Sequence, residues 1–308
     1  MVLSTLSDRG IALWAILKNI LPIYESIYQV VMPVGTVDVY QAMLRTSTLL
    51  TGTPTASSGI AANAFDQNLA TSCTQTSPGG YIDLAIPATN AIPTYGFLPN
   101  SSGIWNLIIQ VSTDGGITYQ NIFFNSALAV VQGQWFWVDI QGVPDGITNV
   151  RLQAGPNTTL DIIEFCAETA PNEIPMAKLS RDDYVNLPNK YFQGRPVQFW
   201  YDKQRVQPIL TLWPTPQAQF TFNQIITTSQ RYIQDVGTMT QIIEVPQRWY
   251  LPIICELANH LMAEIPEAQA DPMRVSNDAF LEMKKAWDSE SDGGPIRIRA
   301  NITPYTKC

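Results

Sequence analysis

The sequence predicts an α+β protein: a helical core with a small antiparallel sheet, into which an all-β jelly-roll sandwich is inserted. Three observations predict it. Near both ends, apolar side chains recur at three- and four-residue steps. Between Thr51 and Ala170-Pro171 the texture changes to short apolar runs separated by Gly, Pro, Asn and Asp. The charge changes with it. Residues 54–170 hold eight acids and one base, Arg151, whereas the remainder holds 18 acids and 17 bases. Nearly the whole net charge of −8 therefore sits in that stretch, which we take as a separate domain, 54–170, within a core of 1–53 and 171–308.

Residues 4–21 read as a helix, with Ser7 or Asp8 as cap and Ile11, Trp14, Leu17 and Leu21 on one face. Pro22 and Pro33 break the chain, and Val34–Leu44 contains an extended stretch. In the middle segment Tyr81–Ile86, Trp105–Val111, Phe123–Phe124, Trp135–Ile140, Val150–Gln153 and Leu160–Phe165 read as strands. Pro78-Gly79-Gly80, Asp114-Gly115-Gly116 and Pro144-Asp145-Gly146 mark turns between them, and that spacing is the signature of a sandwich. After Pro171, Phe199–Tyr201, Ile209–Trp213 and Phe220–Ile226 predict the small sheet, its middle strand ended by Pro214 and Pro216. Two helices follow. One covers Pro246–Ile265, with Trp249, Ile253, Leu257, Leu261 and Ile265 on a face, although Pro252 argues for a later start. The other covers Asp271–Ser289, capped by Asp271 with Pro272 at its first position and Val275, Ala279, Met283 and Trp287 in step. The tail from Gly293 to Cys308 is polar and extended.

Composition bounds the function. A chain of 308 residues fits two domains, and 45% hydrophobic residues supply a sizeable core. Only 14% is charged, against about 25% in typical domains. Little charge with eight Trp fits either broad subunit contacts or a well-buried β-rich protein. The absence of a basic patch excludes a tight grip on nucleic acid; an acidic wall suits a conduit instead. Cys73, Cys166, Cys255 and Cys308 lack metal-site spacing. Cys73 and Cys166 can meet in space, but intracellular assembly would keep them reduced. No signal-peptide pattern is read. The apolar run Ile11–Val31 is interrupted by Lys18, Asn19, Pro22 and Glu25, so no membrane span is expected.

No catalytic residue is expected. His260 is the sole histidine; it reads as a packed or rim residue on a helix, with Cys255 on another face. Asp182-Asp183 reads as a cap after Ser180 and not as an acid pair. No phosphate loop or metal-ligand helix is present.

Ala64-Phe65-Asp66-Gln67-Asn68 with Ala70-Thr71, then Val111-Ser112-Thr113-Asp114-Gly115-Gly116, then Leu160-Asp161-Ile162-Ile163-Glu164-Phe165, resemble the discoidin-like (galactose-binding-like) sandwich family over residues 54–170. That resemblance implies a structural calcium at Asp66, Asn68, Thr71 and Glu164, an oxygen set that suits the ion. Gln67 stands where the family has Gly. The family often binds glycans. Trp105, Trp135 and Trp137 are the aromatics on strands, with core packing weighed above a sugar platform.

Leu179–Tyr184, Gly194–Asp202, Leu210–Pro216 and Val245–Trp249, in that order before two helices, resemble the head-to-tail adaptor proteins of short-tailed bacteriophages. The resemblance covers residues 1–50 and 175–308. It implies a virion connector subunit at the head-tail junction, assembled in the host cytoplasm as a dodecameric ring. Its partners would be the portal protein, a tail or nozzle protein, other copies of itself, and DNA passing through without sequence recognition. It also implies a C-terminal clamp, for which Arg297, Arg299 and Tyr305 are the contact candidates. No cofactor is expected beyond the calcium. The alternatives are a carbohydrate-binding tail decoration that recognises a host surface, and a cell-wall hydrolase.

Overall fold

A computed structural model of the chain describes residues 16–89, 92–204, 206–231, 245–265 and 271–290. The chain forms two compact units, Lys18–Ser229 and a second made of 1–17 with 230–308.

The strands run in chain order as follows. The first three are β1 (Ile16–Pro22), β2 (Gln29–Val31) and β3 (Thr36–Leu49). Then come β4 (Thr53–Ala56), β5 (Cys73–Thr74), β6 (Tyr81–Thr89), β7 (Thr94–Pro99), β8 (Gly103–Ser112) and β9 (Gln120–Val130). They continue with β10 (Phe136–Asp139), β11 (Ile147–Ala154), β12 (Asp161–Pro175), β13 (Ala177–Lys178) and β14 (Gln193–Gly194). The last are β15 (Gln198–Asp202), β16 (Ile209–Trp213), β17 (Thr215–Pro216) and β18 (Gln224–Arg231). The helices are α1 (Arg181–Val185), α2 (Tyr250–Glu264) and α3 (Pro272–Glu290).

The sandwich follows from alternation. A five-stranded antiparallel sheet has the order β4-β6-β11-β8-β9. Its strands send Ile82, Leu84, Ile86, Leu107, Ile109, Val111, Val150 and Leu152 inward, and the residues between them outward. The facing seven-stranded sheet has the order β1-β18-β3-β12-β7-β10, with β5 on β12. It contributes Tyr95, Phe97, Ile162, Phe165 and Ala167 to the same core. Truncating one such side chain to alanine costs about 2–5 kcal/mol.

Two long strands join this sandwich to the flanking segments. β12 pairs with β7 over Ile162–Glu168 and with β3 over Glu168–Pro175. Ala170-Pro171, which reads as a break in the sequence, lies inside β12 where its pairing with β3 shifts register between Thr169 and Asn172. The junction is thus a bulged sheet.

A four-stranded sheet, β13-β15-β16-β2, covers a second core of Ile23, Met32, Val39, Phe199, Tyr201, Leu210 and Leu212. β15 and β16 are the strands expected from the sequence. The expected third strand is not there. Gln224–Arg231 belongs to the large sheet, Ala218–Phe220 is a 3₁₀ turn, and β2 fills the place beside β16.

The expected helical core is therefore a misreading. Outside residues 54–170, strands outnumber helices in the described chain, whose helices are α1 and the pair α2–α3. Residues 16–21, placed in a helix by their three- and four-step apolar pattern, lie in β1. The physical reason is tertiary: β1 pairs with β18, the neighbour of β3 in the large sheet, and ladder pairing overrides a short helical pattern. Residues 4–15 of the expected N-terminal helix lie outside the described residues.

In the second unit, α2 begins at Tyr250 after a 3₁₀ turn over Gln247–Trp249, with Pro252 in its first turn, where a missing N–H costs little. Trp249 and Ile253 are buried, but Leu257, Leu261 and Ile265 are 44–49% exposed, so the expected apolar face holds only at its start. α3 is capped by Asp271, whose carboxylate accepts from Met273 N at 3.0 Å. Its Ala279, Met283 and Ala286 are buried.

Candidate functional site

The outer face of the five-stranded sheet carries a polar row in cross-strand register. Thr55 pairs with Asp83, Asp83 with Arg151, Arg151 with Gln110 and Gln110 with Asn121, so one residue from each strand lies on the line. Arg151 is its centre. Its guanidinium lies 4.0 Å from the Tyr81 ring centroid and 3.5 Å from that of Tyr119, and its Nε donates to Asp83 Oδ1 at 3.4 Å. Each ring contact is worth about 0.5–2 kcal/mol. Asp83 is almost fully buried and accepts from the Tyr119 hydroxyl at 2.9 Å and from Asn149 Nδ2 at 2.8 Å. Burial, then the bond to Asp83, pushes the Tyr119 phenol up to about 12, so it stays a donor.

Tyr119 is placed by the preceding turn. The Asp114 carboxylate accepts from Ser112 Oγ at 2.7 Å and from the backbone N–H groups of Ile117 and Thr118. Those bonds, led by Ser112, hold it well below the usual carboxylate range. Gly116 has φ +85°, and a Cβ there would come within 2.9 Å of the Tyr119 hydroxyl.

Two hydrogen-bonding capacities on this face are unused. Neither Nη group of Arg151 finds a hydrogen-bond partner among the described residues, and the side chain keeps 19% of its surface exposed. Gln110 Nε2 donates to Asn121 Oδ1 at 2.8 Å, and its Oε1 is buried without a partner. Turning both amides over would only exchange which Gln110 atom is orphaned. An orphaned buried polar atom costs about 1–3 kcal/mol.

The loop singled out by the sequence is built as a compact oxygen cluster. Asp66 Oδ1 accepts from Asn68 N at 2.9 Å, and Thr71 Oγ1 donates to Asp66 Oδ2 at 2.8 Å. Gln67 takes φ +56°, the left-handed conformation that a glycine would adopt more cheaply. Glu164 is buried in β12, and its Oε1 has no hydrogen-bond partner. Burial, then the neighbouring Asp66 carboxyl, pushes its pKa up to about 8. An orphaned carboxylate oxygen beside a second carboxyl fits an oxygen-coordinated cation such as calcium. Among the described residues no three His, Cys, Asp or Glu side chains gather as a metal cluster.

The tryptophans are core. Trp105 stacks on Phe97 with centroids 6.1 Å apart. Trp135 and Trp137 stack on each other at 4.8 Å, and Phe222 meets Trp135 edge-on at 5.8 Å. They fill a layer with Leu98 and Cys166 on the outer side of the large sheet, where Gly96 lies under the Trp137 ring. Beside them Arg45 is nearly fully buried. It binds Glu173 through Nε (3.2 Å) and Nη2 (2.6 Å), and Asp139 (2.6 Å) and Thr94 (3.2 Å) through Nη1.

Other candidates separate. His260 Nε2 lies 3.7 Å from Glu256 Oε1, beyond hydrogen-bonding distance, and no nucleophile is aligned with it among the described residues. Ser180 caps α1 in a box with Asp183, the structural role expected of Asp182-Asp183. Cys73, in the sandwich core, and Cys166, in the tryptophan layer, are free thiols. Arg297, Arg299 and Tyr305 lie outside the described residues. Tyr81, Asp83, Gln110, Tyr119 and Asn121 were not singled out from sequence. The available signal was Arg151, the lone base of the acidic segment, on a strand whose alternation points it outward.

No family model matches the chain, and no curated protein matches it. Solved structures that match include carbohydrate-binding modules, among them chitosan-binding module 1 of a chitosanase/glucanase from Paenibacillus sp. IK-5. It is 18% identical, with a TM-score of 0.34, over 40% of this chain and 98% of the module. The CBM32 of AlyQ, in complex with 4,5-unsaturated mannuronic acid, is 15% identical with a TM-score of 0.35, over 40% of this chain and 99% of its own. A Clostridium perfringens CBM32 in complex with GalNAc-β-1,3-galactose is 18% identical with a TM-score of 0.34, over 40% of this chain and all of its own. With the described chain mostly strand, the connector assignment drawn from short motifs is withdrawn.

Proposed function

We propose that this protein is a non-catalytic saccharide-binding protein whose β-sandwich carries the site. The observation that carries the reading is the Tyr81–Arg151–Tyr119 stack on the outer sheet face. Protein–saccharide contacts combine aromatic faces, for the apolar face of a sugar ring, with planar multi-donor groups for its hydroxyls. Here both kinds lie together, fixed in place by Asp83 and Asn149 before any ligand arrives. Binding of the full-length protein to a saccharide array tests this. Specific signals that disappear in Tyr119→Ala are expected; an array blank at high protein concentration would overturn the reading.

Asp66, Asn68, Thr71 and Glu164 are proposed to hold a structural calcium. The ion would supply the positive charge that lets Glu164 ionise while buried. The expected result is a thermal midpoint raised by calcium and restored by chelator, an effect absent in Glu164→Gln. A midpoint indifferent to calcium contradicts it.

A further inference from the structure

The same sheet face indicates which saccharides fit, an inference that rests on the saccharide reading above. Arg151 gives its Nε to Asp83 and its two flat sides to tyrosine rings. What remains is the edge bearing the two Nη groups, which have no partner among the described residues. A planar fork of this kind matches two oxygens on one carbon, and a carboxylate binds it about twice as strongly as neutral oxygens do. Arg151 is also the only base in residues 54–170, so a ligand carboxylate has one place in the sandwich to be neutralised.

Directly across the strand pair, Gln110 holds its buried unpartnered amide atom. A hydroxyl answers that atom in either amide orientation, because it both donates and accepts. A bare anion does not. The ligand that satisfies the row therefore carries a carboxylate and a hydroxyl on one compact unit.

We infer that Arg151, Tyr81, Tyr119, Gln110 and Asn121 form a binding site for a carboxylated saccharide unit of the uronic- or sialic-acid type. Asp83 and Asn149 act through Arg151 and Tyr119 as positioning residues. The Tyr rings fix the guanidinium so that its fork is presented without a rotamer search.

The test is calorimetric titration of the full chain with a uronic-acid oligosaccharide and with its carboxyl-reduced neutral counterpart. The acidic form should bind at least about tenfold tighter, with the gap narrowing as salt rises. Arg151→Lys, which keeps the charge and removes the fork, should narrow that gap. Gln110→Ala leaves the guanidinium intact and should weaken both ligands, which keeps the test decisive if the Arg151 variant misfolds. Equal affinity for the two ligands, or a gap undiminished in Arg151→Lys, overturns the carboxylate assignment while saccharide binding stands. Affinity unchanged in Gln110→Ala moves the site off this face. Failure of every saccharide to bind defeats the functional reading itself.

Discussion

Two arginines sit among aromatic side chains on the two outer sides of the same sandwich, and they differ in what is left unsatisfied. Arg45, on β3, has its Nε and both Nη groups bonded to Glu173, Asp139 and Thr94, and 4% of its side chain is exposed. Its neighbours Trp135 and Trp137 are buried with it. Arg151, on β11, makes one polar contact, and its side chain is 19% exposed. Composition does not separate them, since both combine a cation, an acid and aromatic rings. Hydrogen-bond accounting does. The satisfied cluster holds the fold together, and the unsatisfied one has capacity for a ligand.

That contrast is open to attack at several points, the largest effect first. Arg45→Ala leaves Asp139 and Glu173 without their buried cation, and Lys18, 3.6 Å from each, is half exposed and a weak substitute. The expected loss is about 3–5 kcal/mol in denaturant unfolding. A loss below about 1 kcal/mol, the scale of a surface pair, would show that the cluster is not structural. Gly96→Ala drives a methyl into the Trp137 ring, since a Cβ would lie 2.2 Å from ring carbon Cε3. The cost should be about 1–3 kcal/mol, read as a lower thermal midpoint.

The next effect depends on pH. Glu164 and Glu168 are buried carboxyls with pKa values pushed up to about 8 and about 7, in both cases chiefly by burial. The folded state holds these protons when the unfolded chain has released them. Without calcium, stability should therefore be full below the ordinary glutamate range and fall as pH rises through about 7 to 8. Glu164→Gln should remove the upper part of that fall and raise the thermal midpoint at pH 8 by a few degrees. A midpoint flat from pH 5 to 8 in chelator would show both groups ionise freely. The smallest stability effect belongs to Arg151→Lys, which keeps a cation between the rings and should cost under about 1 kcal/mol. A loss as large as that of Arg45→Ala would place Arg151 in the structural class.

The sandwich was legible where one side of a strand is wet. β6, β8 and β11 alternate inward aliphatics with outward polar residues, and their positions follow from period two. β7 was not legible. All six of its residues are buried, so no alternation exists, and its Gly96 and Pro99 read as breakers. The helical core failed for another reason. Residues 16–21 carry apolar side chains at three- and four-residue steps, yet they pair as β1 in the large sheet, a ladder that no local pattern announces. The Asp66–Thr71 loop and Glu164 could be named from sequence because local motifs mark them. The Arg151 row could not, because Asp83, Arg151, Gln110 and Asn121 meet only through registers set by β6, β11, β8 and β9.

Side-chain oxidative footprinting of the full chain, with and without a saccharide selected on the array, tests the central claim most directly. Bound saccharide should protect Tyr81 and Tyr119 together and leave the exposed Tyr191 and Phe192 unchanged. Protection elsewhere on the molecule, with Tyr81 and Tyr119 as reactive as before, would contradict it.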